Sequence, residues 1–253
     1  MSDADKPTFV ATFSPQQERE ARLSKRFYEE AGSRKRDDGV AVMLDERELK
    51  TPGRNAVRVP TLELGDAIAA EWSSQTDHID PSTMPRTRII TTAIDRVALD
   101  SGPAADEIAR YAGTDLVCYR ADEPEDLVKK QADAWDPLLE WMVDAHAVTL
   151  RPTSGIVHLG QADAELDRLR DIVGQLDPIT LTALHTLVTI AGSAVIGLAV
   201  MGNRLTVEEG WDASRVDEAF QIAQWGEDAE AAERTAFHRH EFEAAAEVIQ
   251  LLG

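Results

Sequence analysis

Residues 179–201 constrain the fold more than any other stretch, because all 23 positions lack Asp, Glu, Lys and Arg. A helix of that length could cross a bilayer. Four threonines, His185 and Ser193 interrupt its apolarity, however, and the chain has no second such run. A helix that is apolar on every side is ordinarily the buried centre of a bundle. The segment is therefore predicted as one central helix. Gly192, Ser193, Ala194 and Gly197 would let neighbouring helices approach closely, and Gly202-Asn203 would end it. Each leucine-sized side chain buried there contributes about 1.5–3 kcal/mol.

The texture around this helix divides the chain. Residues 26–28, 40–44 and 56–59 are short and strand-like. They are separated by turn chemistry at Asp37-Asp38-Gly39, Asp45-Glu46-Arg47 and residues 51–55. After Pro60 the pattern becomes helical. Thr61 is placed to cap a helix carrying Leu62, Leu64, Ile68 and Trp72. Two prolines keep residues 79–85 extended. Helical spacing then resumes at Ile89, Ile90, Ala93, Ile94 and Val97, and again over residues 104–116, 125–147 and 162–176. Thr206-Val207-Glu208-Glu209 reads as a capping start, followed by an apolar stripe of Val216, Ala219, Phe220 and Ala223. A last helix over 228–252 is predicted to face the core through Phe237, Ala244, Val248 and Leu251. The expected class is α+β: a tail over 1–24, a small N-terminal α/β domain with a short antiparallel sheet over 25–85, and a larger all-α helical domain over 86–253.

Charge narrows the function. The net charge is -20, and it is uneven: residues 1–60 hold 12 basic and 11 acidic side chains, the rest 14 and 35. Such a surface repels nucleic acid and an anionic membrane, and attracts a partner with basic patches. Residues 1–7 carry acids and no apolar core, which argues against a secretory signal, and they lack the Arg-rich look of a mitochondrial presequence. The single cysteine, Cys118, allows no internal disulfide and no Cys-based zinc site. A cytoplasmic setting is expected, without membrane insertion.

Motifs for bond chemistry are missing. The chain contains no GxxxxGK[ST], GxGxxG or GxSxG pattern. Cys118 has apolar neighbours rather than a thiolate-stabilising environment. His238 and His240 are two apart on a predicted helix and point in different directions. His185, on the apolar helix, reads as a hydrogen-bonded core residue. No catalytic residue, metal or cofactor is expected. The unusual feature is the junction over residues 221–234. Gly226 permits a sharp turn, Trp225 offers a large anchor, and Gln224, Glu227, Asp228, Glu230 and Glu233 crowd around it. Acids at a helix start are explained in part by the helix dipole. The same group also makes a docking corner, an aromatic anchor ringed by carboxylates for a basic partner.

Across residues 25–252 the sequence resembles the family of assembly chaperones that bind the alpha subunit of the F-type ATP synthase. The resemblance is carried, in order, by Lys25-Arg26-Phe27-Tyr28, Leu49-Lys50-Thr51-Pro52-Gly53, Glu71-Trp72 with Gln75, and Ile79-Asp80-Pro81 through Met84-Pro85. It continues through Ala93-Ile94-Asp95, Thr114-Asp115-Leu116 with Cys118-Tyr119-Arg120, Trp135-Asp136-Pro137, Gly192-Ser193, and the corner from Gln224 to Ala231. It implies a small α/β domain joined to a helical domain. It also implies a monomer without enzymatic activity that holds an unassembled alpha subunit until beta replaces it, in a bacterial-type cytoplasm or the equivalent mitochondrial matrix. The partner-binding residues it implies are Glu233, Glu230 and Trp72. The sequence departs from the family at Glu46, where a glycine is usual, and at His185, where an acid is expected. The competing readings are a cytoplasmic hydrolase without a recognisable motif and a generic acidic scaffold.

Overall fold

In the computed structural model, which describes residues 23–155, 159–226 and 228–253, the strand-rich part is a four-stranded antiparallel sheet. β1 (Ser24–Lys25) stands apart from it and pairs with β6 (His78–Ile79). β2 (Ala31–Arg36) and β3 (Gly39–Leu44) form a hairpin, with Arg36 opposite Gly39 and Ala31 opposite Leu44. β4 (Arg47–Glu48) and β5 (Arg58–Val59) add to β3 at its two ends. β3 is therefore central, and Val40 through Leu44 are all buried. Two sequence expectations change here. Residues 26–28 are irregular, not a strand, and β2 is a strand that no hydrophobic alternation announces. Its side chains are small or cationic, a composition suited to a sheet edge.

The first helix, α1 (Leu62–Ser73), lies across this sheet. Thr61 caps it by accepting from the Leu64 amide. Gly65 lets it come close, since a Cβ there would sit 2.7 Å from the Val40 side chain. The extended piece that follows holds a 3-10 turn at Pro81–Thr83, and α2 (Pro85–Thr92) opens on its proline. Glu71 explains why α2 starts where it does. Its buried carboxylate accepts from the Arg86 amide and the Thr87 amide, each at 2.8 Å, and so caps the new helix from α1.

A π-turn at Ala93–Val97 extends α2, and Asp95 on it grips the loop of residues 51–55. That carboxylate accepts from Thr51 Oγ1 at 2.6 Å, the Gly53 amide at 2.7 Å and Asn55 Nδ2 at 2.8 Å. These bonds hold it below the usual aspartate range, the Thr51 hydroxyl most of all. Then come α3 (Gly102–Gly113), a 3-10 turn at Leu116–Cys118, β7 (Tyr119–Arg120), α4 (Glu125–His146), β8 (Thr153–Ser154) and α5 (Asp163–Val173). β7 and β8 pair in parallel.

The apolar run is two helices, not one. α6 (Pro178–Ala191) ends at Gly192, whose φ of 67° is the left-handed cap conformation. Ser193 then caps α7 (Ala194–Met201) by accepting from the Ile196 amide. The break is stapled by Asp115, which accepts from the Val195 amide at 3.1 Å and the Val117 amide at 3.2 Å. Both helices sit in the core, and Gly197 gives α6 room, since a Cβ there would meet Val188 at 2.7 Å. Among the described residues no helix is long and apolar enough to cross a membrane. Apolar packing runs continuously from Tyr28 in the sheet region to Val248 near the C-terminus.

The C-terminal region also divides differently from expectation. Thr206 and Glu209 form a reciprocal capping box, but the helix they open, α8 (Val207–Ala213), is short. A second helix, α9 (Val216–Trp225), follows, and α10 (Ala229–Gln250) closes the fold.

Candidate docking surface

Only the Val216 end of the sequence stripe on α9 packs against the core. None of the α9 residues is buried: Val216 and Phe220 are half-buried, and Ala219 and Ala223 are exposed. α10 behaves as two halves. From Glu241 onward Phe242, Ala244, Ala245, Ala246 and Val248 are buried, whereas nothing from Ala229 to His240 is. Phe237, predicted to be a core residue, is 45 % exposed, and the aromatic that fills the core is Phe242 at 0 %. The helical period puts a stripe on one face of α9 and α10, but that face turns toward solvent. The two helices form a hairpin whose base is held to α4, where Gln131 donates to the Asp217 carboxylate at 2.6 Å, and whose tip is exposed.

The corner residues lie at the tip of this hairpin. α9 ends at Trp225, which is 79 % exposed, and Ile222 beside it is 39 % exposed. Gly226 makes the turn at a φ of 85°, a conformation that side-chain-bearing residues resist. Asp228 caps α10 by accepting from the Ala231 amide at 2.9 Å. Glu230 is within 3.9 Å of Arg234, both well exposed, a geometry of little energetic weight. Glu233 and Gln224 are exposed. Glu227 lies outside the described residues. A cleft of about 250 Å³ runs between the helices, lined on one side by Glu218, Ile222 and Trp225 and on the other by Asp228, Ala231 and Thr235. The chain turn thus brings Gln224, Trp225, Gly226, Asp228, Glu230 and Glu233 into one locality, an exposed indole with carboxylates around it.

Trp72 is elsewhere. It sits half-buried at the end of α1, its ring edge-on to Tyr28 at 5.6 Å. The Tyr28 hydroxyl donates to the Trp72 carbonyl at 2.6 Å, and Arg26 donates to the Gln75 carbonyl at 2.5 Å. Gln75 in turn accepts from the Asp80 amide at 2.8 Å. Three of the motifs that carry the family resemblance therefore meet at this one joint. The Trp72 Nε1 is shut off from solvent without an acceptor among the described residues. The ring also lines an apolar groove of about 550 Å³ between the loop of residues 47–52 and α2. No sequence signal marks Phe27, which stands 65 % exposed at that groove while Tyr28 beside it is buried. Two neighbouring aromatics with opposite fates leave no periodic signal.

Cys118 and His185, two of the groups considered for chemistry, have structural surroundings. Burial pushes the Cys118 thiol up to about 12, the opposite of what a nucleophile needs. His185 Nε2 lies 2.8 Å from the Glu107 carboxylate. Asp115 is fully buried, and desolvation raises it to about 6 against the pull of its donors, Ser193 foremost. At the departure from the family, Asp45 and not Glu46 takes the left-handed conformation, with φ 51°. A glycine at position 46 is therefore not required by this backbone.

The family model described as ATP12 chaperone protein matches residues 25–143. Protein atp12, mitochondrial, from Schizosaccharomyces pombe is 24 % identical over 214 residues, which is 80 % of this chain and 74 % of that one. Among solved structures, Atp12 from Paracoccus denitrificans is 42 % identical with a TM-score of 0.83, covering 91 % of this chain and 99 % of that one. The Atu1473 protein from Agrobacterium tumefaciens is 34 % identical with a TM-score of 0.85, covering 96 % and 93 %.

Proposed function

This chain belongs to the ATP12 chaperone family, and from that premise we propose that it assembles the F-type ATP synthase by binding the unassembled alpha subunit until beta takes its place. The observation that carries this reading is the hairpin of α9 and α10, with Trp225 79 % exposed at its tip. A large aromatic held in the open by a built turn is out of place in a self-sufficient domain and typical of an interface anchor. The carboxylates around it suit a basic surface and would speed encounter more than they deepen affinity. An orphaned ring subunit exposes an apolar interface that aggregates. Covering it and then yielding to a larger interface needs no nucleotide. The action is binding without bond chemistry, by one monomer on one client, in the cytoplasm or the matching mitochondrial compartment. Trp72, at the joint between sheet and helices, is assigned to the same task.

Co-expression with alpha and beta separately tests the client. The expected result is a soluble complex with alpha alone, and recovery of beta without alpha overturns the assignment. Glu233→Lys is expected to weaken alpha binding about tenfold, equivalent to about 1.4 kcal/mol, at an unchanged melting temperature. A large fall in melting temperature would make this acid structural.

A further inference from the structure

We propose that the apolar groove beside Trp72 is a second docking surface, and that it takes an apolar segment of a partner protein flanked by carboxylates. The inference rests on the chaperone reading in assuming a protein partner, and not on which subunit that partner is. The groove is pre-formed. Asp95 clamps the loop that makes one wall, and Glu71 fixes the start of the helix that makes the other. Its floor is Leu49, Ile79 and Met84, and Phe27 stands at its mouth with the ring edge-on to Tyr28 at 5.4 Å. The volume of about 550 Å³ suits a few side chains rather than a folded domain. The exposed lining is nearly all carbon, so the occupant's inserted part is apolar.

Charge decides what surrounds that apolar part. Arg47 and Lys50 line the rim, both exposed, with no ion pair among the described residues. Arg88 lines the groove too, but its charge is already met by Glu241 and its guanidinium donates to the Pro81 carbonyl at 2.9 Å, so Arg47 and Lys50 carry the rim's free charge. The one carboxylate in the lining, Glu48, is already bonded to Arg36 and Arg58. A basic rim on a chain of net charge -20 reverses the local field. It therefore selects an acidic segment, where the hairpin tip selects a basic one. The two surfaces are distinct: Arg88 meets α10 at Glu241, eight residues beyond Glu233, about 12 Å along the helix.

The test uses the whole chain and two fluorescent synthetic peptides with the same core, Leu-Leu-Phe-Leu, flanked by glutamates or by lysines. The glutamate peptide is expected to bind about tenfold more tightly at low salt, with the preference shrinking as salt rises. Phe27→Ala should weaken it about tenfold or more, whereas Leu99→Ala, which removes another exposed apolar side chain away from both surfaces, should not. Arg47→Glu combined with Lys50→Glu should reverse the preference, and this pair decides the matter should Phe27→Ala fail to fold. Equal or tighter binding of the lysine peptide overturns the proposal. So does a Phe27-dependent dimer without peptide binding, which would make the occupant a second copy. Co-expression with alpha reads the chaperone assignment separately, so failure of one leaves the other standing.

Discussion

Replacing Trp225 by alanine separates the work of the hairpin tip from its stability. The indole is 79 % exposed and packs under nothing that would collapse when it is removed. A tryptophan offers up to about 250 Å² for burial, so roughly 200 Å² remains uncovered in the free chain. At about 25 cal/mol per Å² a client that buries all of it gains at most about 5 kcal/mol. Ordering of the side chain and imperfect fit reduce that, and measured interface anchors of this kind fall near 2–4 kcal/mol. Trp225→Ala should therefore weaken client binding by about 30-fold to several hundred-fold. The melting temperature should move by less than about 3 °C, as for an exposed substitution of about 0.5 kcal/mol or less. Calorimetric titration of the purified alpha subunit, with a thermal melt of the same sample, measures both. An unchanged affinity with a melt lowered by more than about 5 °C would falsify the reasoning, since the ring would then be supporting the fold.

Two further outcomes follow from the core. Phe242→Ala should cost about 3–5 kcal/mol of unfolding free energy, and Phe237→Ala about 0.5 kcal/mol or less, because the first ring is 0 % and the second 45 % exposed; urea titration of the two variants should rank them so, and equal losses would contradict the split of α10. Asp115 is raised to about 6 in the fold from the ordinary value near 3.8, so the native state holds its proton more tightly than the unfolded chain. That contribution is full below about pH 4, falls as pH rises through 6, and is absent above it. Wild type should thus exceed Asp115→Asn in stability by about 2 kcal/mol more at pH 4.5 than at pH 7, and a gap that widens with rising pH would reverse the sign of the argument.

Much of the body was legible because its signals are local. Thr61, the long amphipathic helix and the capping box at Thr206 all stand where the residues indicate, whereas the two prolines open a 3-10 turn and a helix and do not hold residues 79–85 extended. β2 was missed because Gly32, Arg34, Lys35 and Arg36 carry no strand pattern; only pairing to β3 makes them a strand. The single apolar helix was two because charge counting ignores caps. Gly192-Ser193 reads equally as small packing residues and as a C-terminal cap followed by an N-cap, and only the Asp115 staple from elsewhere in the chain selects the second.

The remaining discrepancy is of another kind, and it falls on the surface assigned to function. Periodicity reports that one face of a helix is apolar, not what covers that face. For Phe242 and Val248 the cover is this chain; Ile222, Phe237 and above all Trp225 are left 39 %, 45 % and 79 % exposed by the described residues. A helix that binds another protein and a helix that binds its own core have the same pattern. A reading that sends every apolar stripe inward must therefore fail where a protein keeps hydrophobic surface for a partner. What marks the difference in this sequence is the company of the stripe. The tip has Gly226 to turn the chain outward and Asp228, Glu230 and Glu233 where a buried helix end would need apolar neighbours. An apolar face bordered by exposed like charges gains little by folding inward, since burial would desolvate the charges along with the carbon. The same acids would thus favour an outward hairpin and the exposed Trp225 on which the proposed client binding depends.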